Sequence, residues 1–485
     1  MTNCAIGSID AFTPSSAMPW NEKRVQHLFR RLGFGIELDN IQYLLSEDPS
    51  SYIETAINNA AQPSNDPIPF WANYTWYDFY DFDEQYVLAL DFANDWFIKM
   101  MDNGIKEKLN LFWSNHFVTQ FEVYEFGPFL YNYYKTIEQF AFGNFKDFVS
   151  EMGLSQAMLL FLNGAENTRF NPNENYAREL YELFTLGVDN GYTETDIQET
   201  ARALTGYYIE WSTNQVLFED FIFDDDSKTI FGLTGNWGYN DVIDILFTQK
   251  PMLIAKHICG KLYTNFVNPV MDEDIVDALA QTFIDNNFEL LPVYQQLFKS
   301  EHFFDDKNIG TIVKSPIEIL LPFFKALDFD ISGVFPYDDQ FTWKQVLFWN
   351  FQEMGQTIFN PVDVAGWQGN RNWLNSATLV NRWQLFDDIS WMLYDLEFET
   401  LRNLAIDASG NSNDPAIVAI SIVDKFLANG FYNMSSYEAA TDVFKWEIPE
   451  NYFDNGYWNL SWEEAPIQVA VLIQFLVRQP EFQLS

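Results

Sequence analysis

The sequence predicts a mainly α fold: a single large multi-helix domain over residues 20–485, an arm at 1–19, and one small β-hairpin inserted near residues 207–223. Three observations predict it. Apolar residues recur at helical spacing along most of the chain, as at Ala177, Leu180, Tyr181 and Phe184, which fall at i, i+3, i+4 and i+7. Helix start and stop residues bracket those stretches, with Asn21 ahead of a run stopped by Gly33 and Gly35, and Thr193 and Asp196 in capping-box spacing ahead of a run ending at Gly206. Only residues 207–223 switch to a period near two, with aromatic and β-branched residues on both sides of Ser212, Thr213, Asn214 and Gln215.

In order, helices are expected over residues 20–35, 40–46, 52–61, 80–101 and 105–117, the last with Ile105, Leu109, Phe112 and His116 on one apolar stripe. Arg30 and Arg31 close the first helix and are expected to pair with carboxylates. Two helices follow over 128–162. Next comes the stretch 171–187, where Asn173 is placed as an N-cap, Glu174 opens the helix and Gly187 ends it. Glu174, Arg178 and Glu182 recur every four residues as a charged ladder beside its apolar face, with Asn175 and Glu179 in a second polar row. A helix over 193–206 folds back on it, the hairpin follows, and Asp224, Asp225 and Asp226 read as a solvated turn. Helices resume at 241–247, 251–266, 273–286, 291–299 and 316–327, then an acidic loop at 328–340. Residues 355–374 are rich in Gly, Asn and Trp without period, which marks a functional or lid-like loop. Helices at 379–397, 416–428 and 467–478 complete the chain.

Composition narrows the function. With 27 Lys and Arg against 69 Asp and Glu, the formal charge is −42, which argues strongly against nucleic acid and also against an anionic membrane face as partners. An acidic surface suits neutral or cationic substrates, Ca²⁺, or plain solubility. Aromatic residues make up 18% of the chain, more than a core alone needs, and exposed ones would stack on the apolar faces of sugar rings. Cys4 and Cys259 are the two cysteines, so no disulfide framework is expected, and Cys259 sits in an apolar helical pattern as a small buried hydrophobe. No apolar run is long enough to span a membrane. Residues 1–16 lack a basic segment followed by an apolar one, so the chain as written is expected to carry no signal peptide.

Several separated motifs resemble, in order, a large bacterial family known as domain of unknown function number eighteen hundred. They are Leu28-Phe29-Arg30-Arg31-Leu32-Gly33-Phe34-Gly35, Trp113-Ser114-Asn115-His116-Phe117, Pro172-Asn173-Glu174-Asn175-Tyr176-Ala177-Arg178-Glu179-Leu180, Glu182-Leu183-Phe184-Thr185-Leu186-Gly187, Tyr192-Thr193-Glu194, Ala201-Arg202-Ala203-Leu204-Thr205-Gly206, Asp224 through Gly232, and Gly366-Trp367 with Trp373. The resemblance implies a helical protein, frequently exported or at the cell surface, often encoded beside a second uncharacterised family that resembles sulfatases. Two departures stand out. Phe223-Asp224 replaces a position that is often His in the family, and Pro361-Val362 replaces an expected double proline.

Elimination shapes the chemistry. His27, His116, His257 and His302 follow Arg24, Trp113, Ile254 and Lys299 at three residues, so no Glu-x-x-His pair exists, and neither a His-Glu-x-x-His nor a Cys pair is present. No transition metal and no cofactor is expected, and Ca²⁺ on the acidic loops stays open. There is no Gly-x-Ser-x-Gly elbow, phosphate loop or dinucleotide fingerprint. What remains is carboxylate acid–base chemistry. Glu174, Glu179, Arg178, Arg202 and His116 are the candidate catalytic residues, and Trp113, Asn115, Asn175, Trp367 and Trp373 the candidate substrate-binding ones. Such a set fits a hydrolase or lyase acting on polymeric carbohydrate. The same spacing fits a closed network with no catalysis, in a binding or scaffold partner of a sulfatase-like surface protein. The enzyme reading expects the candidates to converge on an open cleft beside Gly366. The scaffold reading expects a closed network and a flat aromatic patch.

Overall fold

The computed structural model describes residues 7–79, 81–330 and 343–485. Cys4, the start of the N-terminal arm and residues 331–340 of the expected acidic loop lie outside the described residues. Among those described, 23 α-helices and two two-stranded antiparallel sheets make up the regular structure. One continuous apolar cluster runs from Phe12 to Phe482, which is why the helices form a single body. The helix Gly104–His116 lies deep in that body, with Lys108, Leu109, Leu111, Trp113 and His116 all buried around its circumference.

The expected caps are in place. Asn21 accepts the Arg24 amide ahead of Glu22–Leu32, and Thr193 and Asp196 bond each other's backbone amides reciprocally ahead of Glu194–Ala203. Ser315 and Glu318 do the same for Pro316–Ala326. Cys259 is buried.

Several elements differ from expectation. Residues 128–162 form three helices, Gly127–Phe140, Phe145–Gly153 and Gln156–Phe161, because Asn144 and Ser155 each accept amides from the turn that follows. Helices Trp343–Glu353, Phe398–Ser409, Met434–Phe444 and Glu450–Asp454 were not expected, although Asn433 does accept the Ser436 amide as a cap. The hairpin pairs Tyr207–Glu210 with Gln215–Phe218 and stops there. Of the expected solvated acidic turn, Asp225 and Asp226 are exposed and Asp224 is not, and a second hairpin that was not expected, Lys228–Ile230 with Leu233–Gly235, follows it. Its anchor is Asp224, 7% exposed, gripped through Nε of Arg202 at 2.8 Å and through the buried Lys228. Arg31 gives its guanidinium to the Asn308 carbonyl and Thr311, and Arg30 to the Lys425 carbonyl and Gln26, so neither has the carboxylate partner expected.

The stretch 171–187 departs most. Its α-helix is only Asn175–Glu179, and Leu180–Thr185 continues as a π-helix in which the Leu186 amide donates to the Tyr181 carbonyl at 2.8 Å. Asn173 still accepts the Asn175 amide at 3.0 Å, and the helix opens one residue later than expected, at Asn175. The apolar face is as read, with Ala177, Leu180, Tyr181 and Phe184 all buried.

Candidate functional site

Helix Gly104–His116, helix Pro251–Phe266, the turn at 312–318 and the loop at 365–373 surround a cleft of about 520 Å³. The loop reaches it because Asn115 clamps the Trp367 backbone from both sides. Its Oδ1 accepts the Trp367 amide at 2.7 Å and its Nδ2 donates to the Trp367 carbonyl at 3.0 Å. Gly366 makes the approach possible, since its φ is +72° and a Cβ there would stand 2.4 Å from Asn115 Oδ1. Trp367 and Trp373 then sit 6.4 Å apart at 44°, each less than a tenth exposed.

What sets the cleft apart is the polar groups on its walls that have no protein partner. Lys261 and Asn265, one turn apart on Pro251–Phe266, form one wall. Arg371 and Asn372, on the 3-10 turn Asn370–Trp373, form the other. Among the described residues none of these four side chains makes a hydrogen bond or ion pair. Burial without a counter-charge brings the Lys261 ammonium down to about 8.

His116 also lines the cleft. It is 3% exposed, and its Nε2 donates to the Phe184 carbonyl at 3.1 Å, so Nδ1 is a bare acceptor with no protein partner. Burial first, then Lys261 and His257, hold its imidazole well below the usual range, which keeps it neutral. His257 likewise donates to the Leu183 carbonyl at 3.1 Å. The π-helical segment leaves both carbonyls for these two rings, and so ties the 180–185 stretch to the cleft.

The cleft is positive. Its walls carry Lys108, Lys261 and Arg371 against one carboxylate, Glu318, a local balance of three cations to one anion in a chain of −42. Glu318 is already bonded to Lys108, and that contact with the Ser315 amide holds its carboxyl below the ordinary range despite burial. Arg31, Lys314 and Arg382, all buried, also lean on it, and burial lowers each of them, Arg31 to about 9 and Arg382 to about 10. Among the described residues Glu318 thus has one cation, Lys108, in ion-pair contact and three more acting on it at longer range.

Of the residues singled out from sequence, Asn115, His116, Trp367 and Trp373 meet at this cleft. The others lie elsewhere. Trp113 is fully buried, its Nε1 donating to the Tyr294 hydroxyl at 2.7 Å, so it offers no surface to a substrate. Arg178 bridges Glu174 at 3.1 Å, Glu182 at 3.4 Å and Glu194 at 2.7 Å, a closed and half-exposed network. Asn175 is exposed and donates to Asn163. Arg202 is committed to Asp224 and Glu199. Glu179 is half-buried, and desolvation with Glu182 raises its carboxyl, but it is not part of the cleft wall. The sequence reading missed Lys108, Lys261, Asn265, Glu318, Arg371 and Asn372. Arg371 and Asn372 fall inside the loop it marked. Lys261 left one faint signal, a cation interrupting the apolar run Ile258-Cys259-Gly260-Lys261-Leu262.

Among the described residues no group of three or more His, Cys, Asp and Glu is placed to hold a metal ion, and no helix is long and apolar enough to cross a membrane. A family model described as a protein of unknown function (DUF1800) matches residues 27–484, nearly the whole chain. No curated protein and no solved structure matches.

Proposed function

The chain belongs to the DUF1800 family, and within it we propose that the cleft is the working site and that its ligand is polymeric carbohydrate. The observation that carries this reading is the pair of walls, each offering an unpartnered amide, Asn265 on one and Asn372 on the other, across an opening that holds several sugar-sized groups. A side-chain amide both donates and accepts, which is what a row of hydroxyls asks of its host. Trp367 and Trp373 add apolar surface for the C–H faces of sugar rings.

The chemistry this cleft suits is base-led. Hydrolysis by a pair of carboxylates needs two of them flanking one bond, and Glu318, tied to Lys108, is the one carboxylate on these walls among the described residues. Lys261, an ammonium lowered to about 8, is the group on these walls that can exchange a proton near neutral pH, while the Nδ1 of His116 is sealed from solvent. That favours a lyase over a hydrolase. The second reading is a non-catalytic docking or bracing role beside a sulfatase-like protein, which the closed network at Arg178 would suit.

Affinity electrophoresis against a panel of soluble polysaccharides tests the proposal. At least one polymer is expected to retard the protein, and Asn265→Leu or Asn372→Leu to weaken it by about tenfold, the worth of an ordinary to strong hydrogen bond. Retardation by no polymer, or retardation untouched by both variants, would overturn it.

A further inference from the structure

Charge on the two cleft walls narrows the ligand further, on the reading that it is a carbohydrate. Lys261 and Arg371 face the opening from separate elements, and both lack a carboxylate partner in a chain where acids outnumber bases 69 to 27. Elsewhere cations find an acid, a carbonyl or a ring: Lys256, five residues before Lys261 on the same helix, pairs with Asp277 at 2.6 Å, Lys146 pairs with Asp244, Lys106 and Lys325 donate to the Gln62 and Met101 carbonyls, and Lys250 lies over the Phe231 ring. Among the described residues, two cations at one cleft with none of these are therefore a departure from that pattern. Behind them, Lys108, Arg31, Lys314 and Arg382 share Glu318, so the cleft floor adds positive potential rather than cancelling it. Arg31 Nε and Nη1 and Arg382 Nε are buried with no partner.

We propose that the cleft selects an acidic polysaccharide, one bearing carboxylate or sulfate groups, with Arg371 and Lys261 each binding an anionic group and Asn265 and Asn372 the neighbouring hydroxyls. The guanidinium of Arg371 offers a fork that matches either anion, and Lys261 a point charge. The net charge of −42 contributes as well, since it disfavours anionic polymers away from a positive opening. The groups facing Lys261 are Lys108, Glu318 and His116 from the adjoining walls and His257 on its own helix, with Arg371 opposite, and of these only Glu318 is an acid.

Matched polymers test this. Dextran and dextran sulfate share a backbone and differ in charge, a polyuronate supplies carboxylates, and sodium sulfate supplies the anion without the sugar. Calorimetric titration at low salt is expected to show binding of dextran sulfate or the polyuronate and none of dextran. Lys261→Met and Arg371→Met are each expected to weaken that binding about tenfold or more, with Arg371→Lys recovering part of it and Lys256→Met changing nothing. Lys261 is part-exposed and its loss leaves no protein group unpaired among the described residues, so the variant folds, which thermal melting confirms. Equal binding of dextran would overturn the charge selection and leave the carbohydrate reading standing. Sodium sulfate competing at the same concentration of charge would mark a plain anion site and overturn the carbohydrate reading with this one. Binding of the acidic polymers unchanged in both methionine variants would place their site elsewhere and overturn the assignment.

Discussion

Glu318→Gln isolates the electrostatic frame of the cleft in one atom pair. Glutamine keeps the size of the side chain and an oxygen for the Ser315 amide, and removes only the charge that Lys108, Arg31, Lys314 and Arg382 share. Opening a buried ion pair from one side costs about 3–5 kcal/mol, because the surviving charge stays buried and uncompensated. Water reaches part of Glu318, whose side chain is 22% exposed, so the low end applies and about 3 kcal/mol is expected. That is roughly a hundredfold shift in the folding equilibrium, read from urea unfolding at pH 7 and low salt. The acid side of the profile carries the same information. A carboxyl whose folded pKa lies below its unfolded value stabilises above the unfolded value, and the stabilisation is lost as pH falls through the folded one. The variant should lack that limb, and sulfate should restore part of its stability by taking the place of the lost charge. A loss below about 1 kcal/mol, with no response to sulfate, would refute the shared-acid account.

Other consequences are as specific. Asn115→Leu removes both bonds to the Trp367 backbone and should cost about 2 kcal/mol, with a red-shifted tryptophan emission as Trp367 and Trp373 meet water. Gly366→Ala puts a methyl against Asn115 at a left-handed φ and should reproduce that emission change, with polysaccharide binding weakened in step. Burial lowers the His257 imidazole to about 4, so the fold gains stability as pH rises toward the unfolded value near 6.5 and loses it as pH falls from there through about 4; His257→Gln should flatten the slope of the urea midpoint between those limits. Ligand binding should weaken as pH rises through about 8, where Lys261 gives up its proton, and Lys261→Met should remove that step.

How far these features were legible in the sequence depends on what each one is made of. Caps and apolar faces are local, so Asn21, Thr193 with Asp196, and the buried row Ala177, Leu180, Tyr181 and Phe184 could be read directly. The π-helical pitch at 180–185 could not, because the same apolar spacing serves both pitches and the difference lies in where the Leu183 and Phe184 carbonyls find donors, His257 and His116, far along the chain. The charged ladder at Glu174, Arg178 and Glu182 drew attention as chemistry, yet Glu194 closes it into an ion-pair network from the next helix. Lys261 and Arg371 matter for the partners they lack, and a missing partner is a fact of three dimensions with no signature at one position. The loop at 355–374 was marked by composition alone, and its role became clear only where Asn115 fastens Trp367 beside the cleft.

The most direct test is a crystal structure with an acidic oligosaccharide bound. The account predicts density in the cleft, with an anionic group within hydrogen-bond distance of Arg371 or Lys261 and hydroxyls on Asn265 or Asn372. Density instead against Glu174, Glu179 and Arg178, with the cleft holding only solvent, would contradict it.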